Sequence, residues 1–374
     1  MLTSIELEKY RGFKSYRIGG LTRVNLLVGK NGCGKTSLLE ALYLLLSRDK
    51  PAALEEIAVS WRREFAAFEG PGGEPAFPPD LPSAVHFFRG HQVQAGDFLR
   101  IGSERGGEPC ELRLVAIPPA EVPNPRVVPW YLSHTRTVPA LALLFEGPAS
   151  AGAVQAPTIL LSNTGALIRP PSGVQEPIAP KADIRTSVHF VSPGHPPFRL
   201  KLMWEKVLRK RRDDEIMTAL RILEPRISDI AFGSGGMYVD DILSGVFVAL
   251  EGMPERVPLG SLGDGFRQLL FLAILLVQSD GDVLLVDEID TGLHYSVMGD
   301  IWRFVAEVAK RSDTQVFATT HSLDCVRGLA WLCEVYPDLR GEVSLQKIAP
   351  SLDRAVAFDA EKITIAAEQE IELR

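Results

Sequence analysis

Apolar residues stand at alternate positions at the start of the chain, at Ile5 and Leu7, and then form the near-continuous run Val24, Asn25, Leu26, Leu27, Val28; both segments read as strands. From Thr36 to Leu46 the apolar residues recur at helical spacing, with a glycine loop between this helix and the strand before it. Short apolar runs at 111–115, 141–145 and 188–191 predict further strands. They alternate with proline- and glycine-rich stretches at 69–82, 117–129 and 169–180 that read as long surface loops, so the N-terminal half is expected to hold an antiparallel β portion. The segment from Leu200 to Leu223 is amphipathic and reads as helix; it carries Arg209, Lys210, Arg211 and Arg212 followed at once by Asp213, Asp214 and Glu215. More strands follow, then a buried helix from about Phe266 to Val277, and no internal repeat is evident.

The composition supports a folded chain: 374 residues, 46% hydrophobic and 23% charged, with length for about two structural units. With 40 Lys and Arg against 47 Asp and Glu the net charge is −7, so nucleic-acid contact requires a local basic patch. Cys33, Cys110, Cys325 and Cys333 are scattered without zinc or disulfide spacing, which suits a reducing, cytoplasmic setting. The N-terminus lacks signal-peptide character, and no apolar run approaches the roughly 18 residues of a membrane span. No membrane role is expected of this chain alone.

Three segments carry chemistry. Gly29, Lys30, Asn31, Gly32, Cys33, Gly34, Lys35, Thr36 matches G-x-x-x-x-G-K-[ST], placed as the motif requires after an apolar strand and before a helix. Glycines 29, 32 and 34 let backbone N–H groups curl around phosphate oxygens, and the helix start adds its positive dipole end. Lys35 would reach the β- and γ-phosphates, and the Thr36 hydroxyl would ligate Mg²⁺, with Asn31, Cys33 and Ser37 as further members of the nucleotide-binding set. For Cys33 a tolerated small residue is the plainer reading, a redox switch the other.

The second segment, Val283, Leu284, Leu285, Val286, Asp287, Glu288, has the form of a buried parallel strand delivering two acids at its C-terminal edge, a Walker B strand. Asp287 would hold Mg²⁺ through its water shell, and Glu288 would orient or deprotonate the attacking water. The third, Thr314 to Ser322, is an apolar strand ending in the polar triplet Thr320, His321 and Ser322; at the mouth of a neighbouring strand His321 could hydrogen-bond a γ-phosphate oxygen and the attacking water.

Together with Ser261, Leu262, Gly263, Asp264, Gly265, Phe266, Arg267, Gln268, these segments resemble an ABC-type ATPase head of the SMC/RecF/OLD group. More narrowly, Asp287 to His294 resembles small stand-alone bacterial AAA-type ATPases related to the OLD nucleases. Both ends of the chain carry the resemblance well, and residues 60 to 250 carry it poorly. It implies that Gly263, Asp264 and Gly265 occupy the signature motif, which completes the nucleotide site of the opposite copy in a homodimer sandwiching two ATP molecules. Here Gly263 replaces the usual serine, with Ser261 two residues earlier. The resemblance also sets Asp290 in the loop that communicates across the dimer and Arg11 or Lys14 at the basic position near phosphate. A glutamine loop is expected after the first helix; Gln92 and Gln94 are candidates, and the sequence does not place it.

The expected fold is therefore α/β: a P-loop ABC-type ATPase head with a mostly parallel sheet, an antiparallel β subdomain and a short helical insertion. Residues 1–195 form an N-terminal lobe, 196–228 the insertion and 229–374 a C-terminal lobe. About 24 helical residues span only about 36 Å, too little for the coiled coil of SMC proteins. OLD nucleases carry a Toprim nuclease domain after the ATPase; with 53 residues after His321, none is expected in this sequence. The function implied is an ATPase that uses ATP and Mg²⁺ and works as a dimer or higher oligomer. It would act as sensor or regulator of a separate effector, such as a nuclease, in anti-phage defence. A RecF-like repair ATPase binding DNA is the alternative, a transporter ATPase subunit a remoter one.

Overall fold

The computed structural model describes residues 1–47, 50–69, 75–122, 140–147, 158–163, 165–168, 188–193, 200–233, 245–369 and 371. The chain runs through β1 (Leu2–Tyr10), β2 (Phe13–Gly19), β3 (Val24–Val28), α1 (Lys35–Leu46), α2 (Lys50–Glu56), a π-helical turn over Ile57–Trp61, and the hairpin β4 (Phe65–Glu69) and β5 (Pro75–Pro82). Then come β6 (Phe98–Arg105), β7 (Glu108–Ile117), β8 (Leu141–Glu146), β9 (Thr158–Leu161), β10 (Leu167–Ile168) and β11 (Val188–Val191). The second half holds α3 (Leu200–Arg209), α4 (Asp213–Arg221), β12 (Ile227–Phe232), β13 (Val246–Leu250), β14 (Val257–Pro258) and α5 (Asp264–Gln278). It closes with β15 (Val283–Val286), α6 (Met298–Arg311), β16 (Gln315–Thr319), α7 (Leu323–Val335), β17 (Val343–Lys347), β18 (Val356–Phe358) and α8 (Ala360–Glu368).

The fold is α/β with several sheets. A six-stranded sheet, ordered β11-β15-β16-β3-β17-β18, is parallel except at its β17–β18 edge. A seven-stranded antiparallel sheet, ordered β10-β9-β8-β7-β6-β1-β2, shares a core with it, and β12-β13-β14 form a third. The parallel strands are apolar on both faces because both faces are covered. Val24, Leu26, Leu284, Val286, Val316 and Ala318 point into a core shared with α3 to α8, while Leu27, Leu285 and Phe317 point into a second core shared with α1 and the antiparallel sheet. Gln315 ties the two sheets: its side chain accepts from Leu2 N–H at 2.7 Å and donates to the Leu2 carbonyl at 2.9 Å. Among the described residues no helix is long and apolar enough to cross a membrane.

Several local expectations change. The stretch 69–82, read as loop, contains β5, which carries its prolines because each strand of a two-stranded hairpin is an edge strand. Val188–Val191, read with the antiparallel portion, instead pairs parallel with β15 as the sheet's edge. The 24-residue helix is two helices. Arg211, at φ +52°, turns the chain between them, and α4 begins with three acids in its first turn, where they complement the helix dipole. The buried helix extends two residues earlier and one later than its pattern, as Asp264–Gln278. Of the loop stretches, 117–129 is described only to residue 122 and includes a short helical turn at Pro119–Glu121, while 169–180 lies outside the described residues.

Candidate functional site

The site gathers at the C-terminal ends of β3, β15 and β16, neighbours in the parallel sheet. β3 leads through the glycine loop into α1, whose N-cap is Gly34 at φ +99°. A Cβ there would stand 2.5 Å from the Phe13 ring, so neither the backbone angle nor the space admits a side chain. No side chain caps α1 and no acid lies in its first turn, which leaves the first amides to an incoming anion.

Lys35 is buried and folds back over the loop, its Nζ donating to the Gly29 carbonyl at 2.7 Å and the Lys30 carbonyl at 3.2 Å. Burial pushes the ammonium below the ordinary lysine value, against the pull of the Cys33 thiol and the Asp287 and Glu288 carboxylates. Nζ also lies 3.2 Å from His321 Nδ1. An ammonium has only protons to give, so Nδ1 accepts and the ring proton sits on Nε2, the nitrogen left to meet a ligand.

Thr36 donates to the Asp287 carboxylate at 3.0 Å to Oδ2 and 3.2 Å to Oδ1, joining the glycine loop to the β15 strand end. Glu288 follows with its side chain exposed and its backbone at φ +50°, a left-handed conformation that costs a non-glycine residue about 1–2 kcal/mol. Thr291 Oγ1 donates to Glu288 Oε2 at 3.2 Å. Thr319 Oγ1 donates to Asp287 Oδ1 at 2.6 Å, and Thr320 Oγ1 to Asp290 Oδ1 at 2.5 Å. These two threonines were legible in the strand-end motif, yet sequence reasoning singled out only the histidine beside them.

Gly29, Asn31, Gly32, Cys33, Gly34, Lys35, Thr36, Asp287, Glu288 and His321 therefore meet at one edge of the sheet, with Asn31 and Gly32 exposed and Cys33 buried. Ser37 is buried, and its hydroxyl accepts from Arg62 at 3.3 Å.

Arg11 is a correction. Its guanidinium is 8% exposed and pairs with Glu40 at 2.6 Å and Glu64 at 2.7 Å, over the Phe87 ring, so it locks the β1–β2 hairpin to α1 and has no free face for phosphate. Glu40 is fully buried between Arg11 and Arg62; burial pushes its carboxyl up and the two guanidiniums pull it back. Lys14, on the same hairpin, is exposed. Gln92 and Gln94 lie on an exposed loop before β6, with the Gln94 N–H bonded to Asp97 at 2.8 Å.

Gly263 and Asp264 are exposed at the start of α5, and Asp264 pairs with Arg267 one turn on. Gly265 is buried against the backbone of Gly292, in the turn after Glu288. The helix start and the acid-bearing loop of the same chain are thus packed together. The Lys210 and Arg212 charges are spent on Asp280 and Glu215.

Residues 1–70 match the model of an AAA ATPase domain, and residues 205–324 match one described as "AAA domain, putative AbiEii toxin, Type IV TA system". An ATP/GTP phosphatase of Helicobacter pylori is 20% identical over 343 residues, covering 87% of this chain and 86% of that protein. The DNA replication and repair protein RecF of Oceanobacillus iheyensis is 31% identical over 70 residues, covering 18% of this chain and 19% of that one. The SMC head domain from Thermotoga maritima aligns over 96% of this chain and 98% of its own at 13% identity, with a TM-score of 0.40. The glycine loop, the paired acids after β15, the two family matches and the 70-residue likeness to RecF support an ABC-type, RecF-like ATPase.

Proposed function

We propose that this chain binds ATP with Mg²⁺ and hydrolyses it in the cytoplasm, as a dimer whose α5 N-terminus completes the site of the other copy, and that the cycle gates a separate effector in defence against phage. One observation carries the catalytic part: the Asp287 carboxylate is held by Thr36 of the glycine loop with Glu288 next in the chain. The residues suit the ligands. Uncapped amides at the start of α1, an exposed Gly32 and the Lys35 ammonium are donors for a polyphosphate, and a hydroxyl beside a carboxylate is the hard-oxygen pair Mg²⁺ takes. The ion would be held by Thr36 and Asp287, where it supplies charge neutralisation to the phosphates. Lys35 binds and orients the terminal phosphate, Glu288 takes the proton of the attacking water, and His321 offers Nε2–H to a γ-phosphate oxygen.

Gly263 to Gly265 in a second copy would bring a helix start to the exposed side of this site, with backbone N–H groups replacing the missing serine. The defence role, and with it the separate effector, draws on the AbiEii description of the C-terminal family match. A DNA-repair role draws on the 70-residue likeness to RecF. The basic cluster that would serve it is half neutralised within the chain, and DNA affinity that disappears on replacing Arg209 to Arg212 would favour it.

The test is ATP turnover of the full chain beside Glu288→Gln, with mass measured in solution with and without ATP. The expected outcome is a rate at least about 100-fold lower in the variant and a stable ATP-dependent dimer. Equal rates would remove Glu288 from the chemistry, and a monomer under all conditions would remove the shared site. Plaque counts on a host carrying the chain with its genomic neighbours should rise on Glu288→Gln; unchanged counts would end the defence reading.

A further inference from the structure

Thr319 ends β16, the strand between those that deliver Asp287 and the glycine loop. The residue is 1% exposed, and its hydroxyl is used twice. Oγ1 donates to Asp287 Oδ1 at 2.6 Å and accepts the Glu288 backbone N–H at 2.9 Å. The Thr319 carbonyl accepts the next amide, Ile289 N–H, at 3.0 Å.

One residue thus holds two consecutive amides. Along a strand, successive N–H groups point to opposite sides, so both can reach one neighbour only if the backbone turns between them. That turn is the left-handed conformation of Glu288, closed from the other side by Thr291 N–H donating to the Glu288 carbonyl at 3.0 Å. The hydroxyl also sorts the two oxygens of Asp287. Oδ1 takes the Thr319 proton, and Oδ2 makes the shorter of the two bonds to Thr36.

We infer that Thr319 is a positioning residue for both acids, orienting the Asp287 carboxylate toward the glycine loop and holding Glu288 in its strained backbone so that its side chain leaves the sheet. This role rests on the ATPase reading above. It makes no use of contact between Thr319 and the nucleotide. Valine at 319 would keep the shape but remove one donor and one acceptor, leaving the Glu288 amide unpaired and Asp287 Oδ1 with only its 3.2 Å bond from Thr36; serine would keep both.

The experiment compares full-length wild type, Thr319→Val, Thr319→Ser and Thr319→Ala in steady-state ATP turnover, in thermal unfolding, and in fluorescence titration with a mant-labelled ATP at several Mg²⁺ concentrations. The expected result for Thr319→Val is kcat lower by about 10–100-fold at unchanged KM, with a higher Mg²⁺ concentration needed for tight mant-ATP binding. Thr319→Ser recovers most of both, and Thr319→Ala does not. If Thr319→Val is unfolded at the assay temperature, the serine and alanine pair decides, since they differ by the hydroxyl alone. Equal turnover and equal Mg²⁺ dependence in those two, or in wild type and Thr319→Val, overturns this inference while leaving the ATPase reading intact. A wild type whose mant-ATP binding survives Lys35→Ala overturns the ATPase reading itself and this inference with it.

Discussion

A Cβ on Gly265 would fall on the Gly292 carbonyl, 2.9 Å from its carbon, and a Cβ on Gly292 would stand 2.7 Å from the Gly265 nitrogen. The start of α5 and the turn after Glu288 therefore meet backbone to backbone, where no flexible side chain can yield. Gly265→Ala is expected to cost about 1–3 kcal/mol of stability and to slow turnover by displacing that turn. Gly260→Ala, in the short helical turn Leu259–Leu262 just before α5 and with open space around it, should stay within about 0.5 kcal/mol of wild type. Urea unfolding checks both, and an unperturbed Gly265→Ala would show that the two backbones are not in contact.

Removing charge at the two ends of the site should separate binding from metal use. Lys35→Ala is expected to abolish ATP binding, because the ammonium closes the loop from within. Asp287→Asn keeps an oxygen for one hydroxyl but loses the charge beside Thr36 and Thr319; it should bind ATP yet lower kcat about 100-fold and raise the Mg²⁺ requirement. Calorimetric titration beside steady-state kinetics measures both, and an Asp287→Asn variant with wild-type Mg²⁺ dependence would take this carboxylate out of the metal site.

The two basic residues of the first hairpin should behave oppositely. Arg11→Met leaves Glu40 fully buried with only Arg62 beside it, and about 3 kcal/mol of stability should be lost while the folded protein still binds ATP. Lys14→Ala, at an exposed position, should change stability by less than about 0.5 kcal/mol. Any loss of turnover from this hairpin should follow Lys14. Turnover that falls with Arg11→Met in proportion to folded protein, and not at all with Lys14→Ala, would leave the hairpin without a phosphate contact.

Lys50 gives the stability a pH signature. Its ammonium donates to the Leu44 carbonyl at 2.9 Å and to that of Leu45 at the end of α1, and burial pushes it down to about 8, against the Cys110 thiol. Below pH 8 the group is charged in folded and unfolded chains alike, and its desolvation cost is carried in full. Between 8 and 10.5 the unfolded chain holds more protons than the folded one, so this residue's contribution to stability rises with pH. Denaturant unfolding across that interval should show a rise in wild type that Lys50→Met lacks; parallel curves would mean the amine is not desolvated.

The site was legible where its chemistry is local. A strand, a glycine loop and a helix in uninterrupted order predict the phosphate cradle, because the loop's backbone angles and the helix start depend on residues within a few positions of one another. The run Val283 to Val286 followed by two acids predicts a buried strand for the same reason. Helix ends were less legible, since Arg211 breaks an otherwise continuous amphipathic pattern through a backbone angle that its side chain does not announce. The four residues of β11 are too short a run to state their direction or neighbour, and only pairing with β15 made them parallel.

By itself, then, the amino-acid order determined the α/β class, the glycine loop between β3 and α1 and the two acids that follow β15, all properties of short segments. Only the tertiary structure decided that Arg11 is spent on Glu40 and Glu64, that Thr319 takes hold of Asp287 and Glu288, and that Gly265 rests on Gly292. The reason is physical: a residue's type states which bonds it is able to make, whereas burial and packing across distant segments choose the partner that receives them.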